Sequence, residues 1–456
     1  MSTQKVKQEL FAKISELYDE TLPHNFDWDN ERDKDGLTEV EKKILTEPTP
    51  KQASETILMD EGLRDALGRV KIVPDVDKAM DYLRAIYALG IRRSLIGLYA
   101  GRGTITDQRI QSILSQLHEE MPEMVPVLGS PTMVEAVEWG KECKKINPNT
   151  GMAIFRGTAP LRMFAEGWTV EQIKNDIRKS FALAAKYKIE IYGTIEHATQ
   201  TPPWFIKEII EVMAEAGGAY LTTLIITDTA GVAGERGTAR LFKFVQKILT
   251  DLERAEVIIK IHNHNDRGLA VSNALVALAN GAKMVGIAPW GDGERAGNCS
   301  LEAMAANLYY VLRGSRETVP FEPQKLWAVS KAYGQLIGEE VPEMGVLAGN
   351  AFSSCFGTHL AAEYKVERLI KELSDAQKML TTMKNAIHSP WGTAEWGRKP
   401  KIVVSAATGL KGIKLKALYD LGLDLTDEQA QKIYDVACTK AAPLTNEEFK
   451  NLIIKT

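Results

Sequence analysis

Eight short, apolar, β-prone runs alternate with amphipathic helical stretches between residues 56 and 288, and this alternation limits the fold more than any other feature of the chain. The runs are Thr56–Met59, Ser94–Tyr99, Met124–Leu128, Met152–Phe155, Ile189–Tyr192, Leu221–Ile226, Val257–Ile261 and Lys283–Ala288. Segments such as VDKAMDYLRAIYALG and VEQIKNDIRKSFALAAKY lie between them, with apolar residues at three- and four-residue intervals. Strand–helix repetition of this kind builds parallel sheets, and eight repeats suit a closed (β/α)8 TIM barrel. An open doubly wound sheet remains the alternative, although its usual glycine-rich phosphate turn after the first strand is absent here. Past residue 319 the strand pattern stops and helical periodicity takes over. Residues 1–54 are polar and turn-rich after a first helical segment. The expected organisation is therefore an α/β chain with an N-terminal extension (1–54), a TIM-barrel catalytic domain (55–319) and mostly helical C-terminal subdomains (320–456).

Composition narrows the possible partners. The 456 residues are 45% hydrophobic, enough for a large core, and the net charge is −4 with pI near 6.1. No basic stripe interleaved with aromatics appears, which argues against nucleic acid. No apolar run approaches bilayer length, and the segment MSTQKVKQELFAKISELYDE lacks a signal-peptide core, so a cytoplasmic protein without membrane contact is expected. Cys143, Cys299, Cys355 and Cys438 are far apart and form no CxxC pair, the pattern of reduced, mostly buried thiols.

In a barrel, chemistry gathers where the strands end and the following loops begin. Those positions are unusually polar here: Asp60-Glu61-Gly62-Leu63-Arg64-Asp65 after the first run, Glu196-His197 after the fifth, Asp228-Thr229 after the sixth, His262 and His264 after the seventh, and Glu294-Arg295-Ala296-Gly297-Asn298 after the eighth. His262 and His264 are two apart at the end of a strand, so their rings project to one side, where a single cation can reach both. Asp65, His262, His264 and Asn298 together offer two imidazoles, a carboxylate and an amide oxygen. That set suits a divalent cation (Mg, Mn, Zn or Co) with positions left open for a chelating 2-oxo acid.

The string HNHNDRGLAVSNALVALANGA, followed by GDGERAGNCSLE, closely resembles the signature of the 2-isopropylmalate and homocitrate synthase family, the Claisen-condensing branch of the DRE-TIM metallolyases. The resemblance implies a metal-dependent acyltransferase that condenses acetyl-CoA, or a related acyl-CoA, with a 2-oxo acid and then hydrolyses the thioester. It also implies roles for particular residues. Arg64-Asp65 matches the family's Leu-Arg-Asp motif, with Asp65 on the metal and Arg64 stabilising charge on the ketone oxygen. Thr229 in DTAG corresponds to the threonine that holds the oxo-acid carboxylate. Glu196 in YGTIEHATQT corresponds to the catalytic glutamate, and His359 in AFSSCFGTHL to the catalytic histidine. In the family that histidine commonly serves the partner subunit, which implies a homodimer.

The chain departs from the family pattern around the substrate pocket. Ala66 and Gly68 follow the Arg-Asp pair where glycine and glutamine are common, Leu95 takes a position that often carries glutamate, and Arg162 replaces a frequent histidine. A tyrosine expected before Thr408-Gly409 is missing, with Trp396 and Arg398 nearby. An added arginine and a lost carboxylate point to an acidic or bulky oxo acid, with Arg162 as a substrate contact. The additional regulatory domain of leucine-inhibited synthases has no counterpart, so inhibition through it is not expected. Plainer roles stand beside these: Asp65 as a helix cap, Glu196 paired with Arg162, His359 as an ordinary helix-terminal residue, and Thr229 and Asn298 as turn residues. An acyl-CoA lyase of the same superfamily would carry a cysteine in the loop that here reads Gly291-Asp292-Gly293, and a non-catalytic barrel subunit is the remaining alternative.

Overall fold

The computed structural model describes residues 55–70, 74–315, 319–347, 349–373 and 392–455, with scattered positions between 377 and 388. The N-terminal extension read at 1–54 lies outside the described residues. The chain divides into two compact units, one spanning Thr46–Leu312 with Glu317–Pro342, the other including Glu343 onward.

The first unit is a closed barrel of eight parallel strands: β1 (Ile57–Asp60), β2 (Arg93–Leu98), β3 (Val125–Pro131), β4 (Gly151–Gly157), β5 (Glu190–Glu196), β6 (Leu221–Asp228), β7 (Ile258–Asn263) and β8 (Met284–Ile287). All eight apolar runs became strands. Each strand is followed by a helix: α1 (Val76–Leu89), α2 (Ile105–Glu120), α3 (Val134–Ile146), α4 (Val170–Lys186), α5 (Pro203–Gly217), α6 (Glu235–Asp251), α7 (Ala270–Ala279) and α8 (Leu301–Ser315). In α4 the buried residues Ile173, Ile177, Phe181 and Ala184 recur at the helical interval and face the strands. The Thr169/Gln172 capping box starts that helix. Helix α1 starts at the side-chain cap of Asp75 and ends at Gly90, whose φ of 107° lets its N–H reach the carbonyls of Ile86 and Tyr87.

Inside the barrel, alternate residues of each strand point to the axis. Met59, Leu95, Val127, Tyr192, Ile225 and Met284 pack into an apolar plug. Polar side chains replace this pattern above the plug, toward the C-terminal ends of the strands. Helix α9 (Leu326–Ile337) packs on α1, with Tyr333 5.9 Å from Tyr82 between ring centroids, so the barrel unit extends to Pro342 rather than ending where the strand periodicity does. Among the described residues no helix is long and apolar enough to cross a membrane. Cys143 and Cys299 are buried thiols, while Cys438 is exposed.

The second unit is mostly helical, with α10 (Gly357–Glu372), α11 (Gly409–Leu421), α12 (Asp427–Cys438), α13 (Asn446–Lys455) and a two-stranded sheet of β9 (Ser353–Ser354) and β10 (Lys401–Ile402). It has its own core, in which Ile413, Leu425, Ile433, Leu444 and Phe449 meet. Phe449→Ala should therefore destabilise this unit by about 3–5 kcal/mol, read as a lower urea midpoint. Unchanged unfolding would show that the ring contributes little there.

Candidate functional site

The site assembles from three spatially consecutive strands, β7, β8 and β1, which are hydrogen-bonded neighbours because the barrel closes. After β1 the chain makes a single tight turn in which the Glu61 carbonyl accepts the N–H groups of Asp65 at 2.9 Å and Arg64 at 3.2 Å. This turn lifts Asp65 to the barrel mouth. His262 belongs to β7, and His264 lies just beyond it in an isolated bridge with Asn298 from the loop after β8.

Ligand-capable atoms of Asp65, His262 and His264 lie within 4.8 Å of one another, and all three residues are buried. Asp65 Oδ2 is 3.6 Å from His262 Nε2 and 3.9 Å from His264 Nε2. The Asn298 amide nitrogen donates to the same carboxylate oxygen, leaving Asn298 Oδ1 buried without a hydrogen-bond partner among the described residues. Turning that amide would set two oxygens face to face, a contact that becomes favourable with a cation between them. Two imidazoles, a carboxylate and an orphaned amide oxygen therefore fit a divalent cation.

Arg64 pairs with Asp65 at 2.5 Å. Burial alone would raise the Asp65 carboxyl, but Arg64 and His262 outweigh it and hold the group below the usual carboxylate range. Burial and the neighbouring His262 push His264 down to about 4, so its ring is neutral and its lone pair available at pH 7.

Two residues at this site went unread in the sequence. Glu61 is buried and joins Lys260 Nζ at 2.5 Å to His262 Nδ1 at 2.8 Å. Burial favours its neutral form, yet His262 and Lys260, which both donate to it, dominate and lower its pKa. The signal for Lys260 was present: it is the one polar residue of the run Val257–Ile261 and sits two residues before His262, on the same face.

A cavity of about 220 Å3 opens beside the cluster, and Arg64, Asp65, Glu196, Thr229, His262 and His264 all line it. Leu95, Ala153, Phe155 and Ile225 form an apolar wall. Glu196 stands at the end of β5, with His197 Nδ1 3.6 Å from its Oε1. The Thr229 hydroxyl accepts the His197 N–H at 2.8 Å and lies 3.0 Å from Thr227 Oγ1. Arg295 forks onto Asp266 at 2.8 and 2.9 Å.

Arg162 differs from the other candidates. It lies in the short helix Pro160–Glu166, pairs with Glu166 at 2.9 Å and is not among the cavity-lining residues. Its stem packs beside Glu196 all the same, since a Cβ at Gly157 would stand 3.5 Å from Arg162 Nε and 3.1 Å from Glu196 Oε2. His359 belongs to the second unit, on α10, with its ring stacked on His388 at 4.1 Å between centroids. Arg398 in the same unit donates to the Gly349 carbonyl at 2.9 Å.

Gly297 shapes the loop that delivers Asn298. Its φ is +88°, and a Cβ there would stand 1.9 Å from the Gly291 carbonyl oxygen. Gly297→Ala should cost about 1–3 kcal/mol and weaken divalent-cation binding by displacing Asn298. Thermal unfolding and a cation titration check this, and two unchanged curves would show that the loop absorbs the methyl group freely.

Known proteins resemble this chain. The HMGL-like family model matches residues 57–331, which spans β1 to β8 and continues into α9. A 2-isopropylmalate synthase of Halothermothrix orenii is 27% identical over 306 residues, covering 66% of this chain and 55% of that protein. One from Stenotrophomonas maltophilia is 33% identical over 214 residues, 46% of this chain and 40% of that one. The chain thus spans about half the length of these curated relatives. The HMG-CoA lyase of Brucella melitensis superposes with a TM-score of 0.52 at 14% identity, covering 62% of this chain and 99% of that one, a likeness of fold. With the family model spanning the whole barrel and the clustered groups at its mouth, the chain belongs to the HMGL-like family.

Proposed function

We propose that this protein condenses acetyl-CoA, or a related acyl-CoA, with a 2-oxo acid and releases free CoA by hydrolysis of the thioester. The observation that carries this reading is the approach of Asp65, His262 and His264 within 4.8 Å of one another beside a cavity that Arg64, Glu196 and Thr229 also line. Relatives curated as 2-isopropylmalate synthases support a condensing reaction. A divalent cation held by Asp65, His262, His264 and Asn298 would supply Lewis-acid polarisation of the keto group.

The chain's own groups account for the other demands of the reaction. Arg64 has five N–H donors in a rigid fork and gives one to Asp65, so others remain to face negative charge developing on the keto oxygen. Thr229 can bond the oxo-acid carboxylate once its hydroxyl turns from Thr227. Glu196 takes the proton from the methyl group of the acyl-CoA. The freed electron pair forms the new carbon–carbon bond to the keto carbon, and water then cleaves the carbon–sulfur bond. A thioester α-proton is far less acidic than a carboxyl group, so the base works only where the enolate is stabilised as it forms. The side chain of the oxo acid meets Leu95, Ala153, Phe155 and Ile225, while Arg64, Lys260 and Arg295 each face a carboxylate. This favours a neutral, apolar oxo acid over a dicarboxylic one.

A thiol-release assay with acetyl-CoA and a panel of 2-oxo acids tests the proposal. Free CoA should appear only with an oxo acid and a divalent cation together, and a chelator should stop it. Asp65→Ala should abolish release, and Glu196→Gln should lower kcat by about 10²–10⁴-fold. Full activity of Asp65→Ala, or release without an oxo acid, removes this reading. The role of His359 rests on the motif, and His359→Ala should slow methyl-proton exchange while leaving oxo-acid binding nearly intact; unchanged exchange discards it.

A further inference from the structure

The pair formed by Lys260 and Glu61 remains outside the roles argued above. Both side chains are buried inside the barrel, at 0% and 2% exposure, and meet at 2.5 Å. A buried ion pair is commonly no more stabilising than apolar residues of similar volume. Its presence two positions below a cation seat therefore calls for a purpose other than stability.

Glu61 connects that pair to the seat. Lys260 can only donate, so Glu61 Oε1 accepts from it, and the second oxygen, Oε2, accepts from His262 Nδ1 at 2.8 Å. A ring that gives its Nδ1 proton to a carboxylate presents Nε2 as a lone pair, and Nε2 is the atom that faces Asp65 at 3.6 Å. The backbone of the same residue reaches another candidate ligand, because the Glu61 carbonyl accepts the Asp65 N–H at 2.9 Å. His264 has no such support: its Nδ1 is buried without a hydrogen-bond partner among the described residues. The neighbouring strand leaves room for the carboxylate. Gly286 pairs with Met59 across β8 and β1, and a Cβ at Gly286 would stand 2.5 Å from Glu61 Oε1.

We propose that Glu61 is a positioning residue for the cation site, holding His262 in the tautomer whose Nε2 faces the seat. Lys260 anchors the carboxylate, and Gly286 leaves space for it. This inference rests on the divalent-cation reading of Asp65, His262 and His264, and its test separates the two.

The metal-free full-length protein is titrated with Mn2+, followed by electron paramagnetic resonance, and with Zn2+, followed by calorimetry. Glu61→Leu/Lys260→Met removes both charges together and leaves neither partner alone in the barrel. It should unfold at or above the wild-type midpoint, yet bind either cation about 10–100-fold more weakly. Long-range 15N–1H spectra of labelled histidines should show His262 protonated at Nδ1 in the wild type and mixed between the two nitrogens in the variant. Gly286→Ala retains every charge and should weaken binding in the same direction, which keeps the test decisive if the double variant fails to fold. Wild-type affinity and an unchanged tautomer in the double variant, alongside lost binding in Asp65→Asn, would overturn the role of Glu61 alone. Wild-type affinity in Asp65→Asn would overturn the cation site and this inference with it.

Discussion

Pairing of the last barrel strand with the first is the contact on which the site depends. Ile57 to Asp60 of β1 align residue for residue with Met284 to Ile287 of β8, and β8 in turn borders β7. Groups 201 residues apart, Glu61 and His262, thereby come within hydrogen-bond distance, and Asp65 meets Asn298 across 233 residues of sequence. Backbone hydrogen bonds of a closed sheet have no edge at which to slip, so the register that aligns these strands also sets the spacing of the side chains above them. An open sheet of the same eight strands would leave β1 and β8 on opposite edges and the carboxylate far from the imidazoles.

The barrel axis runs from an apolar plug to a charged mouth, and electrostatics follow from that gradient. Below, Met59, Leu95 and Tyr192 exclude water. Above, each cationic side chain facing the cavity is paired: Lys260 with Glu61, Arg64 with Asp65, Arg295 with Asp266. Charges removed from water are tolerated when their partners are held at short range. The cavity is thus lined by the cluster of Asp65 and the two histidines together with apolar side chains such as Leu95 and Phe155.

Much of this was readable in one dimension. Strand and helix periodicities of two and 3.6 residues located all eight strands, and the two-residue spacing of His262 and His264 placed both rings on one side. Asp65 and Asn298 stood out because polar residues just past barrel strands face the mouth. Glu61 was one of three acids in a six-residue stretch, and nothing local distinguished it from Asp60, which turns outward to Ser94 and Tyr82. Arg162 gave no local signal for a related reason. It sits in a loop helix where periodicity gives no direction, and its nearest acid, Glu166, lies one helical turn away.

By itself the sequence determined the elements, their order and the types of ligand available, because these follow from local periodicity and side-chain chemistry. Only the tertiary structure decided which acid partners which base. Closing the barrel gives Glu61 two facing donors, Lys260 and His262, while Asp60 has hydroxyl donors, and it leaves Leu95 lining the cavity. Such choices depend on through-space distances between residues brought together by strand closure, and sequence separation carries no measure of them.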